Sequence, residues 1–136
     1  MQFDSKFAIV VRDDLETWQK LNVTAFLTSG IIGNTPEMMG EPYEDAAGNR
    51  FHSLSIQPCI VLAADANTIG NIHRRALSRG VTTAAYTEEM FSTGHDEANR
   101  EVFRQCGPDD ARIVGLAMRA DKKIVDKITK GAKLHG

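Results

Sequence analysis

The chain is predicted to fold as an α/β protein, with one mixed sheet of four strands covered by helices on both faces. Apolar stretches short enough to be buried strands recur along the chain, and apolar residues at helical spacing lie between them. No internal repeat or low-complexity linker divides the sequence. A length of 136 residues therefore predicts a single domain, residues 1–136, with one hydrophobic core.

Composition indicates a globular protein without a membrane partner. Hydrophobic residues make up 42% and charged residues 25% of the chain, which is neither the low apolar content of disorder nor the pattern of a membrane span. The longest apolar run, from Cys59 to Ala64, is too short to cross a bilayer. Asp4 and Lys6 interrupt the start of the chain, so no secretory signal is predicted and a cytoplasmic location is expected.

The first strand and the first helix are predicted from adjacent segments. Residues 6–11 contain five consecutive apolar residues, three of them β-branched, which is typical of a strand buried on both faces. Apolar residues at helical spacing follow from Leu15 to about Ser29. Asp14 is the expected N-cap of this helix and Gly30 its expected end.

A hairpin and a second central strand are predicted next. Residues 42–55 consist of two short extended pieces joined by a turn at Gly48. Residues 58–64 are apolar throughout and form the second predicted central strand. Asp65 then caps a helix that ends at Gly80.

The second half of the chain adds two strands and two helices. Residues 81–87 predict a third strand, whose threonines and alanines favour a place near an edge of the sheet. The segment from Thr93 to Asp96 has the form of a capping box opening a short helix, which Gly107 would end. Residues 111–120 are the fourth predicted strand, and residues 121–130 a lysine-rich final helix.

The order of these segments resembles that of a bacterial family catalogued as a domain of unknown function, over nearly the whole chain. The fold of that family is similar to that of type II peptidyl-tRNA hydrolases, which implies a hydrolase-like core to which the hairpin at 42–55 is an addition. The segments that carry the resemblance are KFAIVVRDDL, WQKLN, QPCIVLAAD, AYTEEMF and IVGLAMRADKKIVDKITKGAKLH.

The resemblance also implies positions for functional residues. The hydrolases carry an arginine and an Asp-Leu pair after the first strand, then a lysine, a glutamine and a histidine along the first helix. Thr24 stands where the glutamine belongs and Leu27 where the histidine belongs. Lys20 stands at the lysine position but lies one residue nearer the first strand than the lysine of the hydrolases. The residues that match are Arg12, Asp14, Leu15 and Lys20.

Four residues are candidates for catalysis. Lys20 would lend positive charge to an oxyanion or phosphate, while Glu89 or Asp96 would orient water as a general base. Histidine is the usual acid or base near neutral pH, and His95 adjoins Asp96, so the two form a candidate acid/base pair. The alternatives are a solvated lysine for Lys20, and helix capping with solvation for His95 and Asp96.

Five residues are candidates for substrate binding, because they lie near the predicted end of the first strand or within the polar segment 87–99. Ligands of open α/β sheets bind outside the carboxyl ends of the strands. The simpler interpretations are a local ion pair for the arginine and a helix cap for the aspartate. The five candidates are Arg12, Asp14, Asn22, Thr24 and Thr93.

No cofactor or metal is predicted. The four histidines have no metal-binding spacing, the two cysteines form no CxxC motif, and neither a P-loop nor a dinucleotide fingerprint occurs. Trp18, the only tryptophan, is expected in the core.

The partners implied by the resemblance are tRNA or another nucleotide-bearing substrate, and a second copy of the chain in a homodimer. Four large apolar residues lie on or near the hairpin, where a free connection would not carry them. They are expected to pack on a second subunit or to cover the site as a lid. These residues are Met38, Met39, Tyr43 and Phe51.

Two functions follow as hypotheses. The first is a metal-independent hydrolase that cleaves an ester or amide bond on a peptide- or nucleotide-bearing substrate. The second is a module without catalytic activity that keeps the fold and binds a small ligand or a protein. Retention of Arg12, Asp14 and Lys20 favours the first, and Thr24 and Leu27 at the glutamine and histidine positions favour the second.

Overall fold

The computed structural model describes residues 3–136 and confirms an α/β fold. No helix within this range is long and apolar enough to cross a membrane. In chain order, the elements are β1 (Ser5–Arg12), α1 (Thr17–Asn34), a 3₁₀-helix (Pro36–Met38), β2 (Tyr43–Glu44), β3 (Arg50–Phe51), β4 (Cys59–Ala64), α2 (Ala66–Ser78), β5 (Ala84–Thr87), a second 3₁₀-helix (Glu88–Ser92), α3 (Asp96–Arg104), β6 (Ile113–Asp121), α4 (Lys122–Ile128) and β7 (Lys133–Leu134).

The main sheet of the described residues is mixed and has five strands, in the order β5-β6-β1-β4-β7, so the prediction of four strands is wrong. β1 runs parallel to β4 and antiparallel to β6, which in turn runs antiparallel to β5. The additional strand is β7, whose Lys133 and Leu134 pair with β4. Two residues are too few to show a strand periodicity in a sequence. The prediction that β5 lies near an edge is confirmed.

Helices cover both faces of the sheet, as predicted, because β1 alternates its side chains between two cores. Phe7, Ile9 and Val11 pack with the apolar side of α1. Ala8 and Val10 face the opposite way and pack with residues of α2 and α4. All five side chains are at most 1% exposed. β1 therefore holds the two layers of helices together.

β4 is less completely buried than its apolar sequence predicts. Leu62 and Ala64 are buried, Val61 and Ala63 are half-buried, and Cys59 is exposed. The reason is that α1 packs over β1, β5 and β6 and does not cover this side of β4 to the same extent. The prediction of burial on both faces is right for β1 and wrong for β4.

The ends of α1 differ from the predicted ones. Its N-cap is Glu16, whose backbone N–H donates to Oε1 of Gln19 at 3.0 Å in a capping box, whereas Asp14 pairs with Arg12. Gly30 does not end the helix. A Cβ atom at Gly30 would lie 3.1 Å from the Cβ of Ala84, so this glycine allows α1 to approach β5 closely.

The predicted hairpin is confirmed as β2 and β3, with Tyr43 opposite Phe51. Gly48 in its turn has a φ angle of +87°, a conformation that favours glycine. Every residue from 41 to 52 is exposed, so the prediction of a lid over the site is wrong. Met38 does not belong to the exposed group, because it is buried in the same core as the apolar side of α1.

Close packing between β6 and α1 yields a stability prediction. A Cβ atom at Gly115 would lie 2.4 Å from Cγ1 of Val23 and 2.9 Å from Cδ1 of Leu27. We expect Gly115→Ala to lower the free energy of unfolding by about 1–3 kcal/mol, the usual cost of overpacking, when measured by urea denaturation. Gly33→Ala in α1 is the control. Its Cβ would meet no atom within 4 Å, and the change should stabilise the protein by up to about 1 kcal/mol. Unchanged stability of Gly115→Ala would contradict this packing.

Candidate functional site

The carboxyl ends of β1, β4 and β5 meet at one edge of the sheet, because these three strands run in the same direction. Ligands of open α/β sheets bind at such an edge. The segments that leave β1 and β5 there carry most of the residues singled out in the sequence. The structure distributes these residues between a network of ion pairs and a neighbouring cavity.

Arg12 is the centre of the ion-pair network. Its Nε lies 2.6 Å from Oδ1 of Asp14, and its Nη2 lies 2.6 Å from Oε1 of Glu88. The side chain of Arg12 is only 13% exposed. Burial alone would lower the pKa of Arg12, but the hydrogen bonds to the two carboxylates outweigh it and raise the pKa. The charge that follows the first strand is therefore neutralised locally, as the simpler interpretation of the sequence predicted.

Arg112 extends the network from the loop before β6. Its Nη2 and Nε both lie 3.0 Å from Oε1 of Glu89, and its Nη1 lies 3.5 Å from Oε2 of Glu88. The pKa of Glu89 is lowered by a hydrogen bond from its own backbone N–H and further by the charge of Arg112, against the opposing effect of burial. Glu89 is thus ionised and bound to a guanidinium. Sequence reasoning missed the role of Glu88 and Arg112, because ion pairs between distant segments leave no local pattern.

A cavity of about 520 Å³ lies between α1 and the segment that runs from β5 to α3. The rings of Trp18 and Phe91 are 6.0 Å apart and nearly perpendicular, those of Phe91 and Tyr86 are 5.2 Å apart, and those of Tyr86 and Phe26 are 5.7 Å apart. Trp18 is 57% exposed, so its predicted place in the core is wrong. The aromatic residues that line the cavity are Trp18, Phe26, Tyr86, Phe91 and Phe103.

Four of the predicted site residues line the same cavity, namely Asn22, Thr93, His95 and Asp96. Asn22 comes from α1, whereas the other three lie between the second 3₁₀-helix and the first turn of α3. The structure thus brings Asn22 together with polar residues that lie about seventy positions later in the chain. Further polar residues of the lining are Ser29 on α1 and Asn99 and Arg100 on α3.

His95 and Asp96 have separate roles in the structure. Nδ1 of His95 accepts the backbone N–H of Ala98 at 3.2 Å, so His95 is the N-cap of α3 and the capping box predicted for Thr93 and Asp96 does not form. Asp96 pairs with Arg100 one turn along the same helix. The Thr93 hydroxyl contacts Met90 and Asn99. The geometry of His95 matches its interpretation as a helix cap.

Lys20 and Thr24 are not part of the cavity lining. Thr24 donates its hydroxyl to the carbonyl of Lys20 at 2.7 Å, within α1. Lys20 itself is half-buried one turn into the helix. The four catalytic candidates are therefore found in three places: Lys20 on α1, Glu89 in the ion-pair network, and His95 with Asp96 at the cavity.

Histidine, cysteine and carboxylate side chains of residues 3–136 are the groups that could bind a metal or act as nucleophiles. No three His, Cys, Asp or Glu side chains in this range come together as metal ligands. Both cysteines are free. Cys59 is exposed, but the packing around its sulfur keeps part of the water away and raises the pKa of the thiol to about 11, so the thiol is protonated at neutral pH and a poor nucleophile.

The chain belongs to the family described as "Protein of unknown function (DUF2000)", whose model matches residues 5–136. It is similar to a solved structure of a protein of unknown function from Agrobacterium tumefaciens, with 61% sequence identity and a TM-score of 0.98. That similarity covers 99% of this chain and 100% of the other. No curated protein matches the chain.

Proposed function

We propose that this DUF2000 chain binds a small, planar and largely apolar organic molecule in the cavity between α1 and the β5 to α3 segment. The observation that carries the proposal is the chain of aromatic rings along the cavity, of which Trp18 and Phe26 are 57% and 53% exposed. Half-exposed aromatic side chains around a concave site are typical of ligand-binding surfaces. Their flat faces would stack on a planar ligand.

The polar rim of the cavity favours an uncharged ligand. Asp96 and Arg100 form an ion pair, so the two opposite charges at the rim offset each other. The amide of Asn22 could donate to or accept from ligand atoms. Nδ1 of His95 accepts the backbone N–H of Ala98, so the neutral ring carries its proton on Nε2 and could donate it to a ligand atom. A few polar groups around an apolar floor are the usual means by which a binding site orients its ligand.

The same geometry favours binding over catalysis. A general base must reach its proton within hydrogen-bonding distance and be free to accept it. Glu89 is bound to Arg112, Asp96 to Arg100, and His95 caps a helix. We therefore propose a non-catalytic module whose fold is similar to that of type II peptidyl-tRNA hydrolases.

Filling the cavity should weaken binding. Trp18 lines the cavity and is the only tryptophan, so its fluorescence reports occupancy. Uncharged bicyclic aromatic fragments, beginning with quinoline, should quench it saturably. Asn22→Phe places a phenyl ring at the cavity wall and should weaken binding by about tenfold or more, equivalent to the loss of about 1.4 kcal/mol. Ala25→Phe, at an exposed position of α1 outside the lining, should leave the affinity unchanged. Quenching without saturation, or equal affinities of the two variants, would contradict the proposal.

A second candidate function, which Lys20 favours, is a metal-independent hydrolase acting on an ester or amide bond of a peptide- or nucleotide-bearing substrate such as peptidyl-tRNA. Lys20 is half-buried, yet among residues 3–136 its ammonium has no carboxylate within 4.0 Å. An unpaired cation of this kind can stabilise the negative charge that develops in a hydrolytic transition state.

Turnover of a model peptidyl-tRNA tests the hydrolase hypothesis. If Lys20 assists hydrolysis, Lys20→Ala should abolish turnover while changing the free energy of unfolding by no more than about 0.5 kcal/mol, as surface substitutions usually do. Lys127→Ala, at an exposed position of α4, is the matched control and should keep full activity. Absence of turnover by the unmodified chain would rule out this substrate and favour the binding module.

We also propose that the exposed hairpin contacts a second subunit. Tyr43 and Phe51 form a cross-strand apolar pair and are 55% and 57% exposed. A two-stranded hairpin is at best marginally stable alone in water, so a contact that buries this pair would stabilise it.

Sedimentation velocity should show a dimer that the double change Tyr43→Ser and Phe51→Ser converts to a monomer. Leu77→Ser, at a position of α2 that is 51% exposed, should not change the sedimentation. A monomeric unmodified chain would contradict the proposal.

A further inference from the structure

We propose that the chain has a second ligand site, separate from the aromatic cavity, in which Arg119 binds an oxyanion. A cavity of about 350 Å³ lies between the C-terminal part of α1 and the residues that precede β5. This volume is within the range of small-molecule sites. Its lining residues are Gly30, Ile31, Asn34, Thr35, Thr82, Thr83, Ala84 and Arg119.

The guanidinium of Arg119 is held in position by a hydrogen-bonded chain. Its Nε donates to Oε1 of Gln57 at 2.7 Å. Gln57 is only 5% exposed, and its amide nitrogen donates to the backbone oxygen and the hydroxyl of Ser5, at 3.0 and 3.2 Å. Because both ends of the Gln57 amide are engaged, Oε1 is directed at Arg119. The arginine is therefore oriented before any ligand arrives, which reduces the entropy cost of binding.

Two nitrogens of this guanidinium have no partner among the described residues. Within residues 3–136, Nη1 and Nη2 of Arg119 donate to no atom, and no carboxylate lies within 4.0 Å of the side chain. Arg12 and Arg112, by contrast, each bind two carboxylates. The side chain of Arg119 is half-buried, and its charge has no counter-ion within residues 3–136.

The C-terminal carbonyls of α1 do not supply that counter-ion, because they already have donors. The amide of Asn34 donates to the carbonyl of Gly30 at 2.7 Å, and the hydroxyl of Thr35 donates to that of Ile31. The backbone N–H of Thr35 donates to the carbonyl of Ile32 at 3.1 Å. The negative end of the helix is thus largely satisfied, and Nη1 and Nη2 of Arg119 remain available to a ligand.

The chemistry of the cavity defines the class of ligand. A guanidinium whose two terminal nitrogens are free matches the two oxygens of a carboxylate or of a phosphate group in a bidentate contact. The hydroxyls of Thr82 and Thr83 line the same cavity as further donors, and Ile31 with Ala84 would contact an apolar part of the molecule. We therefore assign to this cavity a small molecule that carries an oxyanion.

Titrations followed by NMR test the assignment, with inorganic phosphate and acetate as separate probes. Either probe, or both, should shift the backbone amides of Thr82 and Thr83 and the Nε–H of Arg119 saturably. The probe that binds more tightly shows whether the oxyanion of the ligand is a phosphate or a carboxylate. Arg119→Gln should weaken binding by about tenfold or more. The affinity of Arg119→Lys should fall between that of Arg119→Gln and that of the unmodified chain, because lysine keeps the charge but cannot make the bidentate contact of a guanidinium.

The matched control is Arg79→Gln. Arg79 is exposed at the end of α2 and, like Arg119, has no carboxylate partner within residues 3–136. Its replacement should leave the titration unchanged. Shifts that do not saturate in the unmodified chain, or equal affinities of Arg119→Gln and Arg79→Gln, would overturn the assignment. The titration of the unmodified chain decides the question even if Arg119→Gln does not fold.

Discussion

Burial of β1 on both faces is the constraint on which the rest of the structure depends. Five consecutive side chains, from Phe7 to Val11, are almost inaccessible to solvent and alternate between the two cores. Each core needs its own cover, so α1 lies on one face and α2 with α4 on the other. The strand must also be flanked on both sides, by β4 in parallel and by β6 antiparallel, because its buried backbone groups require partners.

The ion-pair network lies at the carboxyl end of β1. Arg12 leaves the core at the carboxyl end of β1, and its guanidinium joins the carboxylates of Asp14 and Glu88, while Arg112 joins Glu88 to Glu89. The network links the ends of β1 and β5 to the start of β6. The carboxylates of Asp14, Glu88 and Glu89 are each bound to a guanidinium there.

The two proposed sites lie along the same contact between α1 and β5. At Gly30 the helix approaches Ala84 closely, and Ala84 lines both the aromatic and the Arg119 cavity. The outer wall of the aromatic cavity is α3, which has no fully buried residue. An element with so few buried contacts is expected to open at a lower free energy than the sheet, which would let the cavity adapt to its ligand.

Local patterns in the sequence were sufficient for most of the elements. The apolar run of residues 7–11 predicted β1, and Asp65 caps α2 as expected, its Oδ1 accepting the N–H of Thr68 at 2.8 Å. Gly80 follows the same helix with a φ angle of +69°. These features depend on interactions within a few residues of one another, so their signals are contained in short stretches of sequence.

What the tertiary structure alone decided depends on contacts between distant segments. Asp14 has the right residue type for a cap, but Arg12 binds it, and Glu16 takes the cap instead. Trp18 has the spacing of a core residue, yet it lies at the mouth of a cavity whose other walls come from β5 to α3. Apolar periodicity at this position predicts that the side chain packs against other apolar groups. It does not distinguish the core from a ligand cavity, because both have apolar walls.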